Sequence, residues 1–168
     1  GVGFVAAVDG KPRRQVVQAG IDALKAVWHR GAVDADGKTG DGAGIHVEIP
    51  QAFFFEQIRS TGHEPITRRL AVGQIFLPRA DIDSQERARC IVEGEVLGFG
   101  YYIYGWRQVP ISIGIIGEKA NATRPEIEQI LLACPDEKDE ATVERDLYVI
   151  RRRIERAARA EGLLDFYL

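Results

Sequence analysis

A chain of 168 residues is long enough to form one domain with a substantial hydrophobic core. Its net charge of −3 lacks the basic excess typical of nucleic-acid-binding proteins, and no apolar run approaches the roughly 20 residues that a membrane span needs. The two cysteines, Cys90 and Cys134, form no CxxC pair and belong to no cluster with zinc-binding spacing, which favours buried, reduced thiols in a cytoplasmic protein.

The first fifty residues predict the order strand, helix, glycine-rich loop, strand. Residues 2–8 are rich in valine and stop at a turn, so they predict a buried strand. Apolar residues at 3.6-residue spacing from Val16 to Trp28 predict an amphipathic helix, and Gly31 is the expected residue that ends it. After the loop, Ala43 to Ile49 predicts a short strand.

The middle of the chain predicts two helices separated by a strand. Gln51 to Arg59 predicts a short helix against the core, and a strand from Leu70 to Leu77 follows a polar loop. A longer helix is expected to begin at a cap formed by Asp83 or Ser84 and to run to about Phe99, where Gly100 ends it.

The last third of the chain continues the alternation of strands and helices. The predicted elements are a strand at Tyr101 to Val109, a strand or loop at Ile111 to Ile116, a helix from Thr123 to Cys134 with Pro125 in its first turn, a strand from Val143 to Ile150, a helix from Arg151 to Glu161, and the start of a strand at Asp165 to Leu168. An acidic stretch, residues 135–142, is expected to be an exposed connection. The sum is an α+β chain with no second domain.

The glycine-dense loop invites comparison with phosphate-binding motifs, but its context differs. Phosphate-binding glycines follow a strand and open a helix, whose N-terminal N–H groups hold the anion. Here a helix precedes Gly40, Asp41, Gly42 and Gly44, and a strand is predicted to follow. A nucleotide site is therefore disfavoured, although an α+β domain that binds an anion through this loop stays open as an alternative.

Other polar residues indicate no further site. The three histidines, at positions 29, 46 and 63, are scattered and form no metal-binding motif, so no metal site is predicted. The arginines at 151–153, with those at 156 and 159, are interleaved with glutamates and favour a solvated helix face over a surface for RNA.

Several motifs together resemble a known family. They are Gly1-Val2-Gly3-Phe4; His29-Arg30-Gly31 with Thr39-Gly40-Asp41-Gly42-Ala43-Gly44-Ile45; Phe99 to Arg107; Gly117-Glu118-Lys119-Ala120 with Pro125; and Asp146 to Arg153. Over essentially the whole chain, the sequence resembles the N-terminal glutamine amidotransferase domain of the glutamate synthase large subunit, a class II amidotransferase of the N-terminal nucleophile type.

The resemblance implies a fold and a set of partners. It implies a four-layer αββα sandwich, of which residues 1–168 are the first part of a single domain, incomplete at the C-terminal end. It implies L-glutamine as substrate and ammonia as the product passed on to 2-oxoglutarate. No cofactor is expected in this domain, whereas FMN and an iron–sulfur cluster are expected in other domains of the large subunit. A small subunit is a further possible partner, and neither nucleic acid nor membrane is expected.

The resemblance also implies a catalytic arrangement. In this family a cysteine immediately precedes the tetrapeptide found here at Gly1; its thiol attacks glutamine and its α-amino group is the base, which suits an α-amine pKa of about 7.7–8.0. Arg30 and Gly31, with His29 and Gly1, are expected to shape the pocket around this nucleophile. The Asn-Gly oxyanion pair is expected beyond Leu168. No catalytic residue is thus expected within the sequence, which looks cut at both ends, and the chain alone is predicted to be inactive.

A second interpretation of the same resemblance stays open. The chain is alternatively a non-catalytic module of this fold that binds glutamine or docks to a synthase partner. The intact mass of the parent protein distinguishes the two interpretations, because an N-terminal cysteine or a longer chain favours the enzyme.

Overall fold

The computed structural model describes all of residues 1–168 and contains five helices and three strands. In chain order they are α1 (Arg14–Ala26), α2 (Gln51–Ser60), β1 (Arg69–Leu77), α3 (Ile82–Gly98), β2 (Tyr102–Gln108), α4 (Glu118–Thr123), β3 (Glu126–Cys134) and α5 (Glu140–Ala160), with short 3-10 turns at Trp28–Arg30 and Ile113–Ile115. The mixed α+β composition predicted from the sequence is confirmed.

The chain forms two compact units. The first, called unit 1, comprises Gly1–Glu48 and Ser112–Thr123, and the second, called unit 2, comprises Ile49–Ile111 and Arg124–Leu168. Unit 2 contains all three strands and the hydrophobic core, whereas unit 1 contains α1, α4 and the glycine-rich loop.

Unit 2 is built around an antiparallel sheet with the strand order β1-β3-β2. Strand β3 lies in the centre and pairs along its length with β1, for example Leu70 opposite Ala133. It pairs on its other side with β2, for example Trp106 opposite Ile130, and a bulge between Ile103 and Gly105 shifts the register of β2. Such a bulge bends a strand and re-aims the side chains beyond it.

The main core lies between one face of the sheet and helices α3 and α5. Side chains at alternate positions of β3, such as Ile130 and Leu132, point into this core because successive strand residues face opposite sides. Helix α3 contributes Val92 and helix α5 contributes Ile154, each at most 1% exposed. On the opposite face, the shorter helix α2 covers a second cluster: Phe54, Ile58, Leu70, Tyr104, Leu131 and Ala133.

Both long helices begin at an aspartate cap. The Asp81 carboxylate accepts a hydrogen bond from the backbone N–H of Ser84 at 3.0 Å, and the Asp139 carboxylate accepts one from Thr142 at 2.8 Å. The sequence predicts the cap of α3 at Asp83 or Ser84. This prediction is wrong because Asp81 is the last residue with extended backbone before the helix.

Four sets of predicted boundaries are confirmed to within two residues: those of α2, β1 and β2, and the C-terminal end of α3, where Gly100 adopts a φ of 78°. The existence of α1 is confirmed as well, but it ends at Ala26, about four residues before the predicted end next to Gly31. The acidic connection before α5 is also confirmed, although the helix already begins at Glu140. The open segment at 111–116 contains a 3-10 turn at Ile113–Ile115.

Two predictions in the last third were wrong. The segment predicted to be a helix from Thr123 to Cys134 contains the end of the short helix α4 and the central strand β3, because its apolar run fits between two partner strands. The segment predicted to be a strand, Val143–Ile150, belongs to α5. Over the 21 residues of this helix the buried side chains recur at helical spacing; they are Val143, Ile150, Ile154 and Ala158. This longer pattern is a better guide than the alternation of apolar and polar residues over the eight residues 143–150, which suggests a strand.

Two further predicted strands, both in the first fifty residues, are absent from the structure. Residues 2–8 and 43–49 have no strand pairing, and the side chains of Val2 and Phe4 are exposed instead of buried. A strand exists only where a neighbour accepts its backbone hydrogen bonds, and no described segment does so here. At the other end, the strand expected from Asp165 is limited to one bridge, between Tyr167 and Phe76.

The two cysteines differ in exposure. Cys134 is buried in the main core, and burial raises the pKa of its thiol. Cys90 was predicted to be buried but is exposed on the outer side of α3.

We expect Ile130→Ala to lower the free energy of unfolding by about 2–5 kcal/mol, because the truncation leaves a cavity where the side chain is 2% exposed. Leu164→Ala removes an aliphatic side chain that is 82% exposed, and it should change the free energy of unfolding by less than about 0.5 kcal/mol. Urea unfolding measures both variants. Equal effects would contradict the core assigned to β3.

We also expect the Asp139 cap to make stability depend on pH. Hydrogen bonds from the hydroxyl and N–H groups of Thr142 lower the pKa of this carboxyl, so its contribution is complete above the ordinary value of 3.8 and is lost as the pH falls through the folded-state value. Asp139→Asn retains the acceptor but does not titrate. This variant should match the original at pH 7 and lose less stability in acid, whereas Glu137→Gln should retain the original profile.

Candidate functional site

The pocket residues predicted from the sequence lie at the end of α1. The helix ends at Ala26, and Trp28–Arg30 forms a 3-10 turn in which the N–H of Gly31 donates to the carbonyl of Trp28 at 3.1 Å. Gly31 has a φ of −85° and extended backbone, and α1 already ends at Ala26, so the prediction that Gly31 ends the helix was wrong. His29 and Arg30 are exposed, and Arg30 makes no ion pair.

The glycine-rich loop folds into a small hairpin, residues 32–41, which we call the loop hairpin. Val33 and Gly40 form an antiparallel bridge, and the N–H of Asp34 donates to the carbonyl of Thr39 at 2.7 Å. A Cβ atom on Gly40 would lie 3.0 Å from the carbonyl oxygen of Ala32, so this position favours glycine. The hairpin therefore brings its two ends together directly after Arg30 and Gly31.

Asp41 closes the base of the loop hairpin. Its carboxylate accepts a hydrogen bond from the N–H of Ala32 at 3.0 Å, which fixes the backbone immediately after Gly31. The next residue, Gly42, has a φ of 77°, a conformation that side chains disfavour. A Cβ atom built on Gly44 would meet no atom within 4 Å, so this position does not require glycine for space.

Asp36 organises the tip of the loop hairpin. Its carboxylate accepts hydrogen bonds from the hydroxyl of Thr39 at 2.5 Å and from the N–H groups of Lys38 at 2.9 Å and Thr39 at 2.7 Å. These donors hold the pKa of the Asp36 carboxyl well below its usual range. With Asp34 and Asp41, the hairpin presents three carboxylates, a charge that opposes binding of a phosphate.

The structure brings together only some of the residues predicted to form the site. It connects Asp41 to the residue after Gly31, but Gly1 is exposed and makes no hydrogen bond or ion pair with the loop hairpin. Asp34 and Asp36 are not among the site residues predicted from the sequence. The Asp-Gly-x-Thr pattern at 36–39 is typical of an aspartate that receives hydrogen bonds from its own turn, and this signal could have identified Asp36.

Two hollows, both in unit 2, contain none of the predicted site residues. One of about 420 Å³ is shallow and lies beside Cys90 and Glu161, and one of about 300 Å³ is lined by Gln57, His63 and Arg107 among others.

No group of three or more His, Cys, Asp or Glu side chains is placed to hold a metal ion. None of the helices is long and apolar enough to cross a lipid bilayer.

The fold and the loop hairpin define an α+β protein with a small antiparallel sheet and an exposed, carboxylate-braced glycine loop. A sequence model of the class-II glutamine amidotransferases matches residues 1–168. Since this match covers the whole chain, the chain belongs to that family.

Curated relatives agree with this assignment. The chain is 66% identical over its full length to the glutamate synthase (NADPH) large chain of Azospirillum brasilense, of which it covers 11%. It is 37% identical over 96% of its length to ferredoxin-dependent glutamate synthase 1 of Arabidopsis thaliana, covering 10%, and 36% identical over 99% to the glutamate synthase (NADPH) large chain of Bacillus subtilis, covering 11%. The chain thus spans about a tenth of the length of these relatives.

We expect Asp36→Ala to open the tip of the loop hairpin, because the variant removes the acceptor of three hydrogen bonds. Hydrogen exchange of the backbone amides of Lys38 and Thr39 should accelerate severalfold. Asp22→Ala, which removes an exposed carboxylate that binds only Gln18 on α1, serves as the control and should leave these amides unchanged. Unchanged exchange in Asp36→Ala would contradict the assigned role.

Proposed function

We propose that this chain is the first part of the glutaminase domain of a glutamate synthase large chain, which releases ammonia from L-glutamine for transfer to 2-oxoglutarate. The observation that carries the proposal is the full-length family match together with 66% identity to the Azospirillum large chain. Because the chain covers only about a tenth of such relatives, the activity is proposed for the full-length protein that contains these residues.

The proposal includes the four-layer αββα sandwich of a single domain to which all of residues 1–168 belong. The sheet of unit 2, with α3 and α5 on one face, supplies one sheet and one helical layer. Residues 2–8 and 43–49 supply strands of the second sheet once a partner is present. Their exposed apolar side chains, including Val2, Phe4 and Val47, support this assignment because isolated strands do not bury them.

The proposed chemistry is covalent hydrolysis of the glutamine side chain. A cysteine immediately before Gly1 supplies the thiol, and its α-amino group accepts the thiol proton. The sulfur attacks the amide carbon, the carbon–nitrogen bond breaks, and the α-ammonium returns a proton to the leaving nitrogen as ammonia departs. Water then attacks the thioester and releases glutamate. The Asn-Gly oxyanion donors for both steps are proposed to lie in the same domain, after Leu168; such donors are worth about a hundredfold to a thousandfold in rate.

Arg30 is the residue of this chain best suited to hold the substrate. Its guanidinium is exposed and makes no ion pair, so it is available to bind the α-carboxylate of glutamine through two parallel hydrogen bonds. His29, Gly31 and Gly1 complete the proposed wall of the pocket. The loop hairpin, which includes Gly40 and Asp41, supports that wall through the hydrogen bond from the N–H of Ala32 to Asp41. Gly42 and Gly44 follow it in the proposed glycine loop.

The cofactors of the parent enzyme are assigned to other domains. An iron–sulfur cluster is held by four cysteines, or by two cysteines and two histidines. This chain has two cysteines, one of them buried in the core, and no three His, Cys, Asp or Glu side chains are placed around a common point, so its donor set does not fit a cluster. FMN and the cluster are therefore proposed to bind elsewhere in the large chain. The other partners are the remaining domains and a small subunit.

We expect Arg30→Ala in the full-length protein to lower kcat/KM for glutamine hydrolysis about tenfold to a hundredfold, because a charge-assisted contact to the substrate carboxylate is lost. Arg30→Lys should recover part of the loss. Arg14→Ala removes another exposed arginine of unit 1 and should leave kcat/KM unchanged. Glutamate release measures all three variants.

The outcomes separate the two interpretations of the family resemblance. If the full-length protein releases no glutamate from glutamine, the chain is a non-catalytic module. If it does so but Arg30→Ala retains full kcat/KM, the reaction stands and the proposed carboxylate contact is wrong.

A further inference from the structure

A segment distant in sequence braces the loop hairpin within unit 1. The ammonium of Lys119 lies 2.8 and 2.7 Å from the two carboxylate oxygens of Asp34, across a separation of 85 residues. The backbone N–H of Lys119 also interacts with the Asp36 carboxylate and helps to lower its pKa. One residue therefore contacts two of the three aspartates of the hairpin.

Gly117 makes this approach possible. It is buried, in contrast to every residue of Gly1–Glu48. A Cβ atom built on Gly117 would collide with the side chains of Thr39 and Asp36 and would lie 2.5 Å from the backbone nitrogen of Thr39. Because backbone cannot yield as a flexible side chain does, any residue larger than glycine must displace the hairpin or the segment.

The braced hairpin ends where the proposed pocket begins. Asp41 holds the N–H of Ala32, which directly follows Arg30 and Gly31. The hairpin has no hydrophobic core of its own, so its geometry depends on these polar contacts. A shift of the hairpin relative to Gly117 and Lys119 therefore changes the position from which Arg30 reaches its substrate.

We propose that Gly117 and the Lys119–Asp34 ion pair hold the loop hairpin in place and are thereby positioning elements for glutamine binding through Arg30. This inference rests on the proposed glutaminase function. The side chains of Lys119 and Asp34 are 64% and 37% exposed. Exposed pairs contribute little to global stability, so the effect of this pair is expected on substrate affinity and not on folding.

The ion pair is tested in the full-length protein with Lys119→Met and Asp34→Asn. Each variant should raise KM for glutamine about twofold to fivefold, the range that the strength of an exposed pair allows, with kcat largely retained. Lys38→Met is the matched control and should leave KM unchanged, since it removes the same charge from unit 1 at an exposed side chain without an ion pair. The reversed pair, Asp34→Lys with Lys119→Asp, should restore part of the affinity.

The dependence of KM on ionic strength is a second measurement that tests whether the Lys119–Asp34 ion pair acts on substrate binding. Raising salt from 0.01 to 1 M shortens the screening length from about 30 to about 3 Å and weakens an exposed pair. KM of the original protein should therefore rise more steeply with salt than KM of Lys119→Met.

Gly117→Ala tests the close approach independently. It should raise KM at least as much as Lys119→Met does. Gly114→Ala should leave KM unchanged, because a Cβ atom built there meets no atom within 4 Å. Unchanged KM in Lys119→Met and Asp34→Asn overturns the inference, even if Gly117→Ala fails to fold. Absence of glutaminase activity in the original protein overturns the proposed function instead.

Discussion

The structure of unit 2 depends on one constraint, the pairing of strand β3 on both of its edges. Alternate residues of this strand serve opposite cores: Ile130 and Leu132 contact α3 and α5, whereas Leu131 and Ala133 contact α2. A slip of the strand by one residue would exchange these two sets, so the register of the sheet and the packing of all three helices specify each other. The caps at Asp81 and Asp139 then determine where the two long helices begin.

Unit 1 is held together by different forces. Helix α1 buries no residue, and the loop hairpin is specified by carboxylates that accept backbone and side-chain hydrogen bonds. Hydrogen bonds and ion pairs of this kind depend on direction and distance more than apolar burial does. Such directional contacts suit a loop that is proposed to place one arginine against a small, charged substrate. Glycine is needed at position 117 because its backbone lies directly against the backbone of Thr39 in the loop hairpin.

The sequence predicted much of this fold, and the errors have physical causes. Helices α1 and α3 and strands β1 and β2 follow from periodicity and turn residues, which are local. Strand β3 was mistaken for a helix because a short apolar run fits either structure until its partners are known. Residues 2–8 have strand composition but no pairing partner in the structure. Within the proposed site, the glycine loop stands out by its glycine density and Arg30 is assigned by resemblance. Contact between Asp34 and Lys119 leaves no sequence signal across 85 residues.

The proposed function requires a thiol nucleophile on a cysteine that precedes Gly1. The most direct test is to treat the full-length protein with an electrophilic analogue of glutamine and to locate the covalent adduct by peptide mass spectrometry. We predict one adduct, on the cysteine joined to Gly1, and loss of glutamine hydrolysis in proportion to labelling. An adduct on Cys90 or Cys134 that abolishes activity, or continued hydrolysis without any adduct, would contradict the account.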